Sequence, residues 1–387
     1  MEKVIERNRV VCTAWYETND YMWMCLSDRN AICKVNKKNK EVTELGRYPE
    51  TEYIKEMLSF NVVYSRGKLV FVPHCADYIA VLEMETEILK FFKIKRYNHD
   101  SYEERGKFAT ALVKDQYIYM MGFWYPAIVK LDVESEGLEY LYYDDCIAGE
   151  CEAPYVQLGY VKKDNIILMA TGKNGCIMKF DMEIQKGEII KLVDGKQSFF
   201  GITNAEKDVW LTMGPEKADK IYRWDIEANE LETIMLPECG LFYPPIVCED
   251  CLYLFPYGGK SIYVFSFKNK ICSLQKELTD ILMMGRGAAR VIAIKQMGNV
   301  IKFQISGNRY WYEYNTQNLS LKKACYQMTD DVFEDAWIQK KKKELVDVRK
   351  NIGEKSVLLT EYISLIKTDL YSERCNEKSC GKTIYQL

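Results

Sequence analysis

One short phrase recurs along this chain and limits what it can fold into. An apolar run is followed by a polar turn, then by an alternating run that closes on Asp, Asn or Ser, or once on Glu, ahead of a charged turn. The closing pairs are Val35-Asn36, Leu82-Glu83, Leu131-Asp132, Phe180-Asp181, Trp224-Asp225, Phe265-Ser266 and Tyr314-Asn315. Their spacings are 47, 49, 49, 44, 41 and 49 residues. Within a copy the pattern opens into four alternating segments, which in the third copy fall at 108–113, 117–121, 127–131 and 138–142. Each copy therefore reads as a four-stranded antiparallel meander, and a period of roughly 40 to 50 residues with four strands per unit marks a β-propeller.

A single four-stranded sheet buries neither face and leaves two open edges, whereas a ring of such sheets packs every face against a neighbour. The expectation is an all-β fold, a seven-bladed β-propeller over residues 1–329, with repeats beginning near 10, 58, 106, 156, 198, 244 and 289. The innermost strand of each blade faces a crowded channel. Small residues at Thr13, Ala14, Ala109, Thr110, Gly159, Gly201 and Ala293 mark those strands, while Trp23, Tyr119, Trp210, Trp224 and Trp311 fall on later ones. The segment Met1 to Glu6 is expected to supply an extra strand at ring closure.

The repeats resemble the blades of kelch-like and YVTN-like β-propellers over about residues 8–329. Gly258-Gly259 is the one Gly-Gly pair and Trp224-Asp225 the one Trp-Asp dipeptide, so the resemblance implies the architecture and carries no functional residues with it.

After Thr329 the apolar spacing changes from two towards 3.6. Val332, Phe333, Ala336, Trp337, Leu345, Val348 and Ile352 follow an acidic Asp330-Asp331 start, and Leu358, Leu359, Tyr362, Ile363 and Ile366 form a second apolar face. A short α-helical extension is expected over 330–371, followed by a loosely ordered tail at 372–387. It either braces the ring or docks a partner, with Lys340 to Lys343 as a basic patch.

The net charge of −3 and a pI near 5.8 argue against nucleic acid as a partner, since a strong positive field is absent. The first residues carry no secretory pattern and no apolar run approaches the roughly 20 residues of a membrane span, so a cytoplasmic protein is expected. The fourteen Cys lie mostly in apolar runs, as at Cys12, Cys25, Cys33 and Cys176, and read as reduced core thiols. Cys248 and Cys251 form a lone CxxC, and with two His in the chain neither a metal nor another cofactor is expected.

In a propeller the loops between second and third strands, and those leading into each inner strand, converge on the channel axis. They contribute Arg29, Lys173, Lys260, Arg286 and Arg309 beside Trp124, Tyr125, Tyr243 and Tyr257, with His74 among them. Cations next to flat rings suit an anionic or sugar-like small molecule, or a protein partner. The first reading is accordingly a non-enzymatic binding protein. A second is a carbohydrate-active hydrolase or lyase using His74 with Asp77, or carboxylates among Asp28, Glu152 and Glu216; His99 reads as a linker residue. A third is an interaction scaffold that works through the helical tail. Nucleophile-elbow, phosphate-loop, dinucleotide and zinc-protease motifs are not found in the sequence.

Overall fold

A computed structural model describes residues 12–26, 30–52, 55, 57–96, 106–143, 155–214, 216–284, 291–305 and 310–328. These form seven antiparallel sheets, each a meander of four strands in chain order. The innermost strands are Ala14–Glu17, Ser59–Ser65, Phe108–Lys114, Val161–Lys163, Ser198–Ala205, Ile246–Cys248 and Val291–Met297. The expected segments 330–371 and 372–387, and Met1 to Glu6, lie outside the described residues. Among those described, no helix is long and apolar enough to cross a membrane.

Second strands are buried on both faces because a blade lies on either side of each. Lys68–Pro73 and Tyr117–Gly122 bury every residue after the first, and accordingly read as near-continuous apolar runs. Outer strands such as Leu89–Lys93 and Leu138–Tyr142 alternate half-buried and exposed side chains. Seven apolar clusters fill the spaces between blades, one to each neighbouring pair. The ring is therefore closed, and every large sheet face is covered.

The recurring Asx phrase has a structural cause. Asn36, Glu83, Asp132, Asp181, Asp225, Ser266 and Asn315 are each the last residue of a third strand. In five of the seven, an Asn or Asp Oδ1 accepts the N–H groups two and three residues on, as when Asp181 receives Glu183 at 2.8 Å and Ile184 at 3.3 Å. Ser266 does the same more weakly through Asn269, at 3.3 Å. Each of these turns ends on a non-glycine residue with positive φ, from Lys40 at 65° to Leu319 at 56°.

Three features exceed the repeat pattern. The outer strand of blade 5 runs on through Glu230–Phe242 and pairs near its end with Pro256–Gly258. A short helix, Lys276–Leu282, joins blades 6 and 7 and buries Leu278, Ile281 and Leu282. Gln327–Met328 adds a strand parallel to the outer strand of blade 1, so the chain passes from blade 7 back onto the first blade.

Closure rests on a buried ionic group as well as on rings. Lys302 of blade 7 is 0% exposed; its Nζ lies 3.0 Å from Glu17 Oε2 of blade 1, 3.3 Å from Glu313 and 3.4 Å from the Tyr326 hydroxyl. Lys37 holds Glu17 from the other side, also at 3.0 Å. Beside them Trp15 meets Trp311 edge to face at 4.9 Å. Burial opposes ionisation of Glu17, yet its two lysines hold its carboxyl below the usual range.

Candidate functional site

The converging face is assembled by backbone hydrogen bonds between loops. Lys107 N–H donates to the carbonyl of His74, Phe123 N–H to that of Lys107, and Tyr155 N–H to that of Phe123, which links blades 2, 3 and 4 in sequence. Beneath this face the channel holds a cavity of about 320 Å³ lined by six of the seven blades. Five contribute the leading ends of their inner strands or the residues just before them, including Thr13, Phe60, Asn61, Ala109, Thr110, Leu158, Gly159 and Tyr243; blade 7 contributes Ile292 to Gln296.

Blade 5 is excluded for a steric reason. Leu158 forms a parallel bridge with Gly201, with Leu158 N–H on Phe200 O at 2.9 Å and Ile202 N–H on Leu158 O at 3.1 Å. The approach is so close that a Cβ on Gly201 would sit 2.7 Å from Pro244 N, and one on Gly159, whose φ is +80°, 2.3 Å from Ile202 O. Small residues on the inner strands thus do two jobs: Thr13, Ala14, Ala109, Thr110 and Ala293 leave room for the cavity, while Gly201 lets neighbouring segments close over blade 5.

Aromatic rings cluster at this end of the channel on two sides. Phe60, in the lining, meets the His74 ring at 5.1 Å, and His74 meets Phe123 at 5.8 Å. Tyr257 stands edge to face on Tyr243 at 5.2 Å and on Phe200 at 5.1 Å. Tyr243 is itself in the lining, with its hydroxyl donating to Val291 O at 3.0 Å.

His74 is locked rather than mobile. Its Nδ1 lies 2.8 Å from the Phe108 carbonyl, which can only accept, so Nδ1 carries the proton. Gly106 passes so near that a Cβ there would fall 2.0 Å from His74 Cε1. Burial pulls its pKa down to about 4, with the neighbouring Lys107 charge adding to that and the Phe108 bond opposing it. Asp77 is tied to Lys55 at 2.6 Å and Lys107 at 2.8 Å; burial opposes its ionisation, but the two lysines hold its carboxyl below the usual range.

Of the ten residues expected on this face, Tyr243 reaches the cavity, and Tyr257 and His74 support its rim. Trp124 is half-buried against Phe123 at 6.0 Å. Tyr125 instead enters the core between blades 2 and 3 and donates its hydroxyl to Lys95 O at 2.8 Å. Lys173 is half-buried in a turn held by Thr171, and Lys260 and Glu216 are exposed. Arg29, Arg286, Arg309, Asp28, His99 and Glu152 lie outside the described residues.

Lys295 was not anticipated, because it sits in an alternating VIAIKQ run where a lysine reads as the solvated side of a strand. Among the described residues it is the one charged group in the cavity lining, and no carboxylate lines it. Its Nζ donates to the Trp15 carbonyl at 3.2 Å, and burial lowers its pKa while Glu17 opposes that shift. Cys248 and Cys251, the CxxC pair, face one another across the tight first turn of blade 6. Cys12, Cys25, Cys33 and Cys176 are buried free thiols.

No family model matches the chain, and no curated protein sequence is similar to it. Solved structures do share its shape. A streptogramin B lyase superposes with a TM-score of 0.55 at 13% identity, over 77% of this chain and 91% of that one. A chain of a mitotic checkpoint complex gives 0.54 at 9% identity, over 84% and 88%. BamB from Moraxella catarrhalis gives 0.50 at 11%, over 82% and 89%. At such identities the likeness is one of fold alone, and with the seven sheets and seven interblade cores it establishes the chain as a seven-bladed β-propeller.

Proposed function

We propose that this chain is a ligand-binding β-propeller that holds a small organic molecule in its channel, beneath the face where the loops converge. The observation carrying this reading is the cavity itself: about 320 Å³, assembled from six blades, with rings at its rim and hydroxyl, amide and ammonium groups in its lining. Volumes of roughly 300 to 1,000 Å³ are typical of small-molecule sites, and mostly apolar walls with a few convergent polar groups are their usual chemistry. Phe60 and Tyr243 offer faces to an apolar body, and the fixed ring of His74 keeps Phe60 in place.

A glycosidase or lyase built on paired carboxyl groups requires two of them facing the bound substrate. This lining supplies groups suited to capture instead. The buried thiols fit a reducing compartment such as the cytoplasm.

Native mass spectrometry of the full chain, purified without denaturation and incubated with a total metabolite extract, tests the reading. One stoichiometric small-molecule adduct is expected, and Ala109→Phe, which fills the cavity, should abolish it while leaving the melting temperature within a few degrees. An adduct that survives the filled channel, or no adduct at all, would refute it.

A further inference from the structure

The chemistry of the lining narrows the class of ligand. We propose that the channel is a carboxylate-binding site, in which Lys295, Asn61 and Thr110 receive the anionic end of a small organic acid and Phe60 and Tyr243 pack against its apolar body. This inference rests on the channel being the ligand site.

Three observations carry it. First, among the described residues Lys295 is the sole charged side chain in the lining and makes no ion pair: its one hydrogen-bond acceptor is the neutral Trp15 carbonyl at 3.2 Å. The Tyr16 ring lies 5.7 Å from Nζ as a weaker cation–π contact, and an ammonium with three N–H donors still has capacity to bond an anion. Its nearest source of negative charge, Glu17, is already engaged by Lys302 and Lys37 at 3.0 Å each.

Second, Asn61 and Thr110 line the same cavity, and among the described residues neither side chain has a hydrogen-bond partner. Thr110 is 7% exposed as a residue, but its hydroxyl is not sealed from the channel, so a ligand oxygen can take the place of water on it. Thr13 differs, because its hydroxyl is spent on Ser59 O at 2.7 Å.

Third, the inner strands that line the cavity in blades 1, 2, 3 and 7 are edges of their sheets, so amides along those edges add neutral donors around the cation. One positive charge with neutral donors matches a monoanion with a planar head, and carboxylate bonded to an ammonium is a strong, charge-assisted arrangement. A phosphate dianion calls for more positive charge than a single lysine provides.

Benzoate and benzamide separate charge from shape, since they differ little except in the anion. Calorimetric titration of the full chain should show saturable benzoate binding, with benzamide weaker by about tenfold or more. Lys295→Met should lose that preference and bind both alike, Lys295→Arg should retain it, and Ala109→Phe should bind neither. Melting curves and circular dichroism confirm that each variant remains folded; should Lys295→Met fail to fold, Thr110→Val and Asn61→Leu must each weaken benzoate by about threefold to tenfold and benzamide by clearly less.

Equal affinity for the two probes, or benzoate binding undiminished in Lys295→Met, overturns the carboxylate assignment and leaves the channel as a site for neutral ligands. Benzoate binding that persists in Ala109→Phe places the site elsewhere and overturns both. Absence of benzoate binding up to about 10 mM also overturns the carboxylate assignment, since even weak organic-acid sites saturate in that range.

Discussion

His74 shows how one side chain can serve as a structural strut at the mouth of a site. Its imidazole is sandwiched between Phe60 and Phe123, and its Nδ1–H is spent on Phe108 O. Because burial depresses its pKa from 6.5 to about 4, the unfolded chain takes up this proton first as pH falls. The stability contributed by neutral His74 is complete above pH 6.5 and is lost as pH drops through the interval to about 4, at up to about 1.4 kcal/mol per pH unit. Asn mimics the Nδ1–H donor and does not titrate. His74→Asn should therefore flatten the fall in melting temperature across this interval; an unchanged pH slope would contradict the assignment. At this scale the sequence was only partly informative. It marked Tyr243 and Tyr257 through loop position, but nothing local separates them from Tyr125, whose ring turns into the core between blades 2 and 3. Lys295 was hidden because strand alternation reports which residues share a face of the sheet, whereas the channel runs along the inner strand's edge.

Among elements, the turn closing each third strand is the most regular part of the molecule, and the exception within it is informative. Blade 2 places Glu83 where the other blades have Asn, Asp or Ser, and its turn instead uses the Thr86 hydroxyl, 3.4 Å from Ile88 N. Glu87 nonetheless adopts φ of 57° and donates to Glu83 O at 2.9 Å, so the backbone already has the shape that an Asx side chain supports. Glu83→Asn should stabilise the protein by about 0.5 to 1 kcal/mol, read as a rise in denaturation midpoint at constant slope. A fall would show that Glu83 has a role these contacts do not reveal. The same turns explain why blades could be counted from sequence: local side-chain-to-backbone bonds impose Asn, Asp or Ser at a fixed strand end. The extension of Glu230–Phe242 and the helix Lys276–Leu282 were not foreseen, the first because its partner Pro256–Gly258 is remote, the second because seven residues are too few to set a period.

For the whole molecule, the decisive interactions join residues nearly the full ring apart. Lys302 and Glu17 are 285 positions apart and buried together. Removing Lys302 leaves the buried Glu17 with Lys37 as its remaining cation, so Lys302→Met should cost about 1 to 3 kcal/mol in chemical denaturation. Adding Glu17→Gln should restore much of that loss, because both buried charges are then gone. A double variant no better than the single one would show that the contacts of Glu17 with Lys37 and Trp15 matter more than its charge balance. Ring closure was legible as a count of seven repeats, but not the latch, since no local pattern tells a lysine in Val300–Ile305 that it will meet blade 1. The central claim, that one ligand is shared by first strands from six blades, is most directly tested by hydrogen–deuterium exchange of the full chain with and without saturating benzoate. Channel-side amides on these strands have no sheet partner to protect them. Slowed exchange is expected together around 13–15, 60–61, 109–110 and 292–296, on inner strands of four separate blades, with outer strands unchanged. Protection limited to a single blade, or found only on the outer strands, would contradict it.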